Sequence, residues 1–234
     1  MRTLYTITRV ILALGLTGFL VWVAVGSEWM RLREVRVVGN LRAPASQLRH
    51  LAALPTGDPL VLLDLEAAVS GVERHPWVAE ASLRRVFPDS VVLQVRERVA
   101  TALLLLDGLY LVDEKGEVFR RASAPDLDLP VLTGVAPDLA LREPVVARRV
   151  VQEALSWLAD AASQGVDAAK ISELRFDVQS GYTLVLRNGG ELMLGFQDRS
   201  SLSRLGALMG QGVDLARPLR IDLTSAALAV VTPL

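Results

Sequence analysis

The longest uninterrupted apolar segment of the chain lies near its amino terminus. Residues 10–26 have the sequence VILALGLTGFLVWVAVG and carry no charge. A helix of this length spans roughly 25 Å, near the lower limit for the hydrocarbon core of a bilayer. Arg2 and Arg9 precede it, and positively charged flanks stay on the cytoplasmic side. The pattern predicts a transmembrane helix at residues 10–26 after a short cytoplasmic segment at residues 1–9.

A cleaved signal peptide is the alternative interpretation of this segment. The triplet Ala24-Val25-Gly26 places small residues at the positions that a signal peptidase recognises. The apolar run is longer than the core of a usual signal peptide, which favours a retained anchor. The charge pattern then exports the rest of the chain from residue 27 onward.

Residues 33–98 predict a first domain with the element order β-α-α-β-β. Gly39-Asn40 is a turn signal after the first strand, and His75-Pro76 ends the second helix. Asp64 is the predicted N-cap of that helix, and Pro44 fits the first turn of the other. The predicted strands are residues 33–38, 78–86 and 90–97, and the predicted helices are residues 44–53 and 64–74.

Residues 99–234 predict a second unit with more strands. Asp107-Gly108 and Asn188-Gly189-Gly190 are hairpin turns between alternating segments. Helices are predicted at about 144–163 and 198–209, and the chain closes with strands at 219–223 and 227–231. The apolar stripe expected on the first of these helices consists of Val146, Val150, Leu155, Leu158 and Ala162.

The predicted fold class is α+β. A single N-terminal transmembrane helix at residues 10–26 leads into the β-α-α-β-β domain at residues 32–99. A mixed, mainly antiparallel β domain with two helices follows at residues 100–234.

The composition offers little for catalysis. The chain has no cysteine, two histidines and a net charge of −1. His50 and His75 lack the spacing of metal ligands, and we expect them to be ordinary surface or partly buried residues. Asp126 and Asp128 are expected in a solvated loop. The sequence therefore predicts no enzyme, no metal and no cofactor, although a distant carboxylate pair stays open.

Several ordered motifs resemble the FtsQ/DivIB family of cell division proteins. Residues 76–88, PWVAEASLRRVFP, and residues 95–100, VRERVA, are similar to the pattern at the end of that family's POTRA domain. Residues 35–40, VRVVGN, match the opening strand of POTRA domains generally. Later matches are LVDEKGEVF at 111–119, LPVLTG at 129–134 and LRIDL at 219–223.

The chain also departs from the family pattern at two places. Val99 stands where a proline is usual. After Asp222-Leu223 the family has Arg-Tyr and a glycine-containing turn, whereas this chain continues with Thr224 and Ser225. The second departure concerns side chains near the last strand, where partner contacts are expected.

The resemblance implies a POTRA domain followed by an FtsQ β domain, acting as a non-enzymatic scaffold of the divisome. It implies a single-pass type II protein of the cell inner membrane, with its C-terminal domain in the periplasm at the division septum. The implied partners are FtsB and FtsL, and through them the septal peptidoglycan synthesis proteins FtsW and FtsI. The POTRA domain is expected to contact other divisome proteins.

The closing strand is the candidate binding site. It has no charge and no proline before Pro233, so it lacks the usual devices that block pairing at a sheet edge. From the residues alone, a central or covered strand is equally open; the resemblance implies that FtsB adds a strand beside it. The residues predicted to take part are Thr224, Ser225, Ala227, Leu228, Ala229, Val230 and Val231.

Two other interpretations stay open at this level. A POTRA-bearing component of an envelope transport or assembly system would bind polypeptides, but residues 99–234 have too few alternating strands for the barrel that usually follows. A membrane-tethered hydrolase has in its favour only a distant carboxylate pair that the sequence does not exclude. The arginines Arg84, Arg85, Arg96 and Arg98 form either a binding face of the POTRA domain or a solvated surface.

Overall fold

The computed structural model describes residues 9, 11–19, 28–136, 142–196, 200–225 and 227–234, with the backbone alone at residue 144. The chain divides into two compact units, Met1–Arg98 and Val99–Leu234. Of the predicted transmembrane helix, residues 11–19 are helical, and residues 10 and 20–26 lie outside the described residues. Within the described part of the chain, no helix has both the length and the apolar character needed to cross a membrane.

The first unit contains a three-stranded sheet and two helices in the predicted order. The strands lie in the order β1-β3-β2, with β1 parallel and β2 antiparallel to β3. The elements are β1 (Glu34–Val38), α1 (Ala45–Ala52), α2 (Leu65–Val72), β2 (Val78–Val86) and β3 (Ser90–Glu97). The predicted β-α-α-β-β arrangement is therefore confirmed.

The ends of the two helices show why they form where they do. Asp64 caps α2 as predicted, because its side chain accepts the N–H of Ala67 at 3.0 Å. Pro44 was expected inside the first turn of α1 but is its N-cap, since its ψ of 130° is extended rather than helical. Both helices bury apolar residues against the sheet. The fully buried side chains of this unit include Leu32, Leu48, Leu60, Val72, Val91 and Leu93.

The second unit is built on one nine-stranded sheet. Its strands are β4 (Ala100–Leu105), β5 (Leu109–Asp113), β6 (Val118–Arg121), β7 (Val131–Thr133), β8 (Ile171–Asp177), β9 (Gly181–Leu186), β10 (Glu191–Gly195), β11 (Leu219–Asp222) and β12 (Val230–Pro233). Their order in space is β12-β11-β10-β9-β8-β7-β4-β5-β6. The pairs β4–β7, β7–β8 and β10–β11 are parallel, and the others are antiparallel. The sheet is thus mixed and mainly antiparallel, as predicted.

Two helices cross over between parallel strands of this sheet. Helix α3 (Pro144–Ser163) lies in the β7–β8 connection, and α4 (Ser200–Gly210) lies in the β10–β11 connection. Parallel neighbours require such crossovers because the chain must return to the starting end of the sheet. The helices share one core with inward side chains of the sheet. That core includes Trp157, Leu174, Leu184, Leu192, Leu205 and Ile221.

The apolar stripe of α3 matches the prediction only in part. Leu158 is buried, and Val150 and Leu155 pack partly buried against the core, as predicted, whereas Val146 and Ala162 are exposed. The buried residues of α3 are Ala147, Val151, Ala154, Trp157, Leu158 and Ala161. Three of these are alanines, which allow the helix to approach the sheet closely while Trp157 fills the space between them.

Strand β8 was not predicted. Its pairing with β9 shifts register between Ile171 and Glu173, so two consecutive residues stand opposite one. This bulge breaks the alternation of apolar and polar residues along the segment. The buried residues Ile171 and Leu174 are consequently three positions apart, a spacing more typical of a helix than of a strand.

Candidate partner-binding edge

Among the described strands, the last strand of the second unit has a neighbour on one side only. β12 lies at the end of the nine-stranded sheet and pairs antiparallel with β11, where Ile221 stands opposite Val231. All four residues of Val230–Pro233 are exposed. The strand was predicted at residues 227–231, so it begins later along the chain than expected. Its outer side is the candidate site.

The hydrogen-bond pattern shows which peptide groups face outward. Leu234 donates its N–H to the carbonyl oxygen of Pro218 at 3.1 Å, on the β11 side. Alternate residues of an antiparallel strand bond to the same neighbour, so Thr232 and Val230 also face β11. Val231 therefore directs its N–H and C=O away from the sheet. Pro233 has the same orientation but no N–H, which leaves Val231 as the outward donor of β12.

The connection from β11 to β12 is held by side chains at its first residues. Asp222 Oδ1 accepts the hydroxyl of Thr224 at 2.7 Å and its N–H at 2.9 Å. These bonds, the hydroxyl foremost, lower the pKa of Asp222 below its usual value. On α4, Arg204 donates Nη2 to the carbonyl of Leu223 at 2.6 Å and Nη1 to the carbonyl of Ser225. These bonds hold the chain in a turn after β11, which explains why β12 begins later than predicted.

The seven predicted site residues fall into two groups. Val230 and Val231 lie in β12 itself. The remaining five, Thr224, Ser225, Ala227, Leu228 and Ala229, lie in the connection that precedes the strand. Most of these side chains are exposed, whereas Ala229 packs against the core. The site prediction missed Arg204 because its sequence neighbourhood shows only a helix, and its contacts exist only in the folded chain.

The other sheet edges carry features that oppose pairing. In the first unit, Arg49 Nε donates to the carbonyl of Val35 on β1 at 3.0 Å. On the opposite edge, Ala81 of β2 donates its N–H to Glu73 Oε1 at 3.3 Å. The far edge of the second unit, β6, ends in two arginines. Charged and self-bonded edges are the usual protection against added strands, and β12 has no charged residue.

The arginines of the first unit take different roles in the structure. Arg85 donates Nε to the carbonyl of Leu60 at 2.8 Å and Nη2 to that of Leu63 at 2.6 Å, so it supports the loop before α2. Arg96 forms an ion pair with Glu80 at 2.5 Å across β2 and β3. Arg84 is exposed. These arginines are therefore not one uniform binding face.

Candidate chemistry is sparse across the described ranges. No group of three or more histidine, cysteine, aspartate or glutamate residues there could hold a metal ion. His75 Nδ1 receives the N–H of Trp77 at 3.3 Å, a local contact within a turn. Asp126 was expected in a solvated loop, but it is buried. Its carboxylate accepts the N–H and hydroxyl of Ser123 and caps a short 3₁₀ helix, which is why it leaves solvent.

Two family models together match most of the chain. The model described as "POTRA domain, FtsQ-type" matches residues 30–98. The model described as "Cell division protein FtsQ/DivIB, C-terminal" matches residues 102–224. The second match ends where the connection to β12 begins, so the last strand lies outside it.

Curated relatives support the same assignment. A "Cell division protein FtsQ" from Anaeromyxobacter sp. (strain K) is 40% identical over 197 residues, which is 82% of this chain and 67% of the relative. Proteins with the same name from Myxococcus fulvus and Xanthomonas campestris are 36% and 32% identical, over 81% and 85% of this chain and 71% and 68% of their own lengths. The chain therefore belongs to the FtsQ/DivIB family of cell division proteins.

Proposed function

We propose that the chain is a bitopic scaffold of the divisome whose β domain captures a β-strand from a partner along β12. FtsB and FtsL are the proposed direct partners, and FtsW and FtsI are reached through them. Residues 10–26 anchor the chain in the inner membrane with the C-terminal domain in the periplasm at the septum. The scaffold acts by binding and local concentration and makes or breaks no covalent bond.

The observation that carries this proposal is the open edge of β12. Val231 directs an N–H and a C=O outward, and among the described residues no side chain bonds to either group. Unpaired main-chain groups along an uncharged, exposed strand are the feature that strand addition uses. By contrast, side chains of the chain itself already bond to the main chain of β1 and β2 at the edges of the first unit.

The two faces of the sheet beside β12 differ, and this difference gives the added strand its specificity. The side chain of Val231 lies on the same face as its neighbour Ile221, which is buried under the helices. Thr232 lies on the other face beside Arg220, whose side chain pairs with Glu191 at 2.9 Å. A complementary strand would place apolar side chains on the helix face and polar ones on the open face.

Membership in a cell division family favours this proposal over a role in envelope transport.

The POTRA unit remains a second contact surface in the proposal, for other divisome proteins. Its contribution would come from side chains rather than from main-chain pairing, because its outer strands are partly occupied by their own side chains.

The proposal is tested by binding of the full chain, purified in mild detergent, to the exported domains of FtsB and FtsL from the same organism. A Val231→Pro variant removes the outward donor of β12 but no bond to β11. We expect its affinity for FtsB and FtsL to fall roughly tenfold or more, because one strand hydrogen bond is lost and the ring obstructs the incoming chain.

The matched control is Arg121→Pro on β6, the opposite edge of the same sheet. The next residue, Ala122, donates its N–H to the carbonyl of Leu109 on β5, so the main-chain groups of residue 121 face outward. We expect this variant to bind like the natural chain. Equal weakening by both variants, or none by either, would contradict strand addition at β12. Unchanged cell length on depletion of the protein would contradict the division role itself.

A further inference from the structure

Exposed apolar side chains collect at one end of the first unit. Trp29, Leu62 and Phe87 are 79%, 70% and 58% exposed, and Val61 beside them is 44% exposed. Large apolar groups at a solvent-facing surface are ordinary when scattered but indicate a binding surface when they cluster. These four residues are here called the apolar end.

Strand pairing and main-chain bonds show that the apolar end is a single place. Ser90 stands opposite both Glu34 and Val86, so the start of β1, the end of β2 and the turn that holds Phe87 lie together. Arg85, two residues before Phe87, bonds to the carbonyls of Leu60 and Leu63 on either side of Leu62. The loop and the turn are therefore held side by side.

The incoming chain reaches the unit at this same end. Leu32 is buried, donates its N–H to the carbonyl of Asp58 at 2.8 Å and accepts the N–H of Gly57 at 2.8 Å. Arg31 also donates Nη1 to the carbonyl of Gly57 at 2.7 Å. The segment that follows Trp29 is thus fixed against the loop that carries Leu62.

Chain length then places the apolar end close to the bilayer. Trp29 lies three positions after residue 26, the end of the apolar run, and three positions reach at most about 10 Å. Leu32 lies at most about 20 Å from the same point. The headgroup layer on each side of a bilayer is about 5–8 Å thick. The apolar end is therefore tethered within reach of the lipid surface.

We propose that the apolar end rests in the outer leaflet of the inner membrane, with Trp29, Leu62 and Phe87 inserted among the lipid headgroups. Tryptophan and phenylalanine favour this interfacial region, because it accommodates large rings that are partly apolar. The unit would then stand on the membrane with β1 directed away from it. The inference rests on the anchor at residues 10–26 in the proposed function.

The contact is apolar rather than electrostatic, because charges at this end nearly balance. The charged residues there are Glu28, Arg31, Arg33, Glu34, Asp58, Arg85 and Asp89. High salt should therefore leave the contact intact, whereas attraction to anionic lipid would weaken.

The absence of cysteine allows a direct test on the full chain. Single variants Leu62→Cys and Phe87→Cys are labelled with an environment-sensitive fluorophore and reconstituted into vesicles of phosphatidylethanolamine and phosphatidylglycerol. Nitroxide lipids, labelled near the headgroup, report contact by quenching. The matched control is Leu41→Cys, which is 92% exposed but lies beyond the far end of β1. Leu16→Cys, within the apolar run, reports the anchor.

We expect labels at positions 62 and 87 to show blue-shifted and quenched fluorescence that high salt does not change. The label at position 41 should show the unquenched emission of a fluorophore exposed to water. In a chain labelled at position 62, replacing Trp29 and Phe87 by serine should reduce the quenching. Water-like signals at 62 and 87 with quenching at 16 would overturn the inference and leave the anchor intact. Equal quenching at 41 would overturn the orientation. A water-like signal at 16 would overturn the anchor and the inference together.

Discussion

The carboxylate of Glu97 holds the loop after β1 in place near the end of the first unit. Its side chain accepts the N–H groups of Leu41, Arg42 and Ala43 at 2.7 to 3.0 Å. Burial raises the pKa of Glu97, but the three N–H groups outweigh it and hold the pKa below the usual value. The motif around Glu97 therefore has a structural role: it fixes the loop after β1 at the end of the unit.

We expect a Glu97→Gln substitution to destabilise the first unit by about 1 kcal/mol at neutral pH, a value reduced for the partial exposure of the site. Because the folded pKa is lowered, the ionised carboxylate stabilises the fold above its unfolded pKa. That stabilisation is lost as the pH falls through the folded pKa. The difference in unfolding free energy between natural and variant chains should accordingly shrink toward acidic pH.

Hydrogen exchange of residues 41–43 in the full chain measures this effect locally. Glu73→Gln is the matched control, since Glu73 accepts a single N–H, from Ala81 at 3.3 Å. Faster exchange in the Glu97 variant alone is the expected result. Equal exchange in both variants at neutral pH would show that the carboxylate of Glu97 does not hold this loop.

At the scale of elements, Arg204 connects α4 to the chain that leads into β12. Replacing it by alanine leaves the carbonyls of Leu223 and Ser225 without their donors. We expect the free energy that holds this loop in its folded position to fall by about 1 kcal/mol. The affinity for the partner should then fall roughly fivefold, because β12 is less often in its binding position. Titration of the full chain with the FtsB and FtsL domains measures this.

The matched control for the Arg204→Ala variant is Arg187→Ala. Arg187 also donates to a main-chain carbonyl, but its acceptor, Asp128 at 2.5 Å, lies in a different loop from the connection to β12. A fivefold loss in the Arg187 variant as well would mean that general destabilisation, and not the position of β12, sets the affinity.

Local sequence signals were sufficient to predict the elements of the first unit but not all those of the second. Gly39-Asn40 directly follows β1, and His75-Pro76 lies in the turn between α2, which ends at Val72, and β2, so the order β-α-α-β-β could be predicted. β8 was missed because its bulge breaks the alternation. The buried face of α3 was predicted only in part, because buried alanines such as Ala154 carry little hydrophobic signal.

The candidate site could be predicted only in part for a different reason. An uncharged run near the chain end indicates a strand that can be an edge, and Val230 and Val231 are in that strand. The edge position itself depends on β11 pairing in parallel with β10, a contact between distant segments. The start of β12 depends on bonds made by Asp222 and Arg204, which no periodic pattern reveals.

At the scale of the whole molecule, the two units differ in what they offer to partners. The first unit ends in exposed apolar side chains where the chain enters, and its edge strands are partly occupied by its own side chains. The second unit presents an open, uncharged strand at the end of a large sheet. A scaffold with these properties would stand on the membrane and bind partners by main-chain pairing.

The most direct test of strand addition at β12 is amide hydrogen exchange of this strand in the full chain, with and without the FtsB and FtsL domains. Thr232 and Val230 already bond to β11, whereas the N–H of Val231 is free to exchange in the unbound chain. If the partner strand pairs with β12, binding slows exchange at Val231 strongly and at its two neighbours only slightly. Binding that leaves Val231 unchanged and protects β1 or β2 instead would contradict the assignment of β12 as the binding strand.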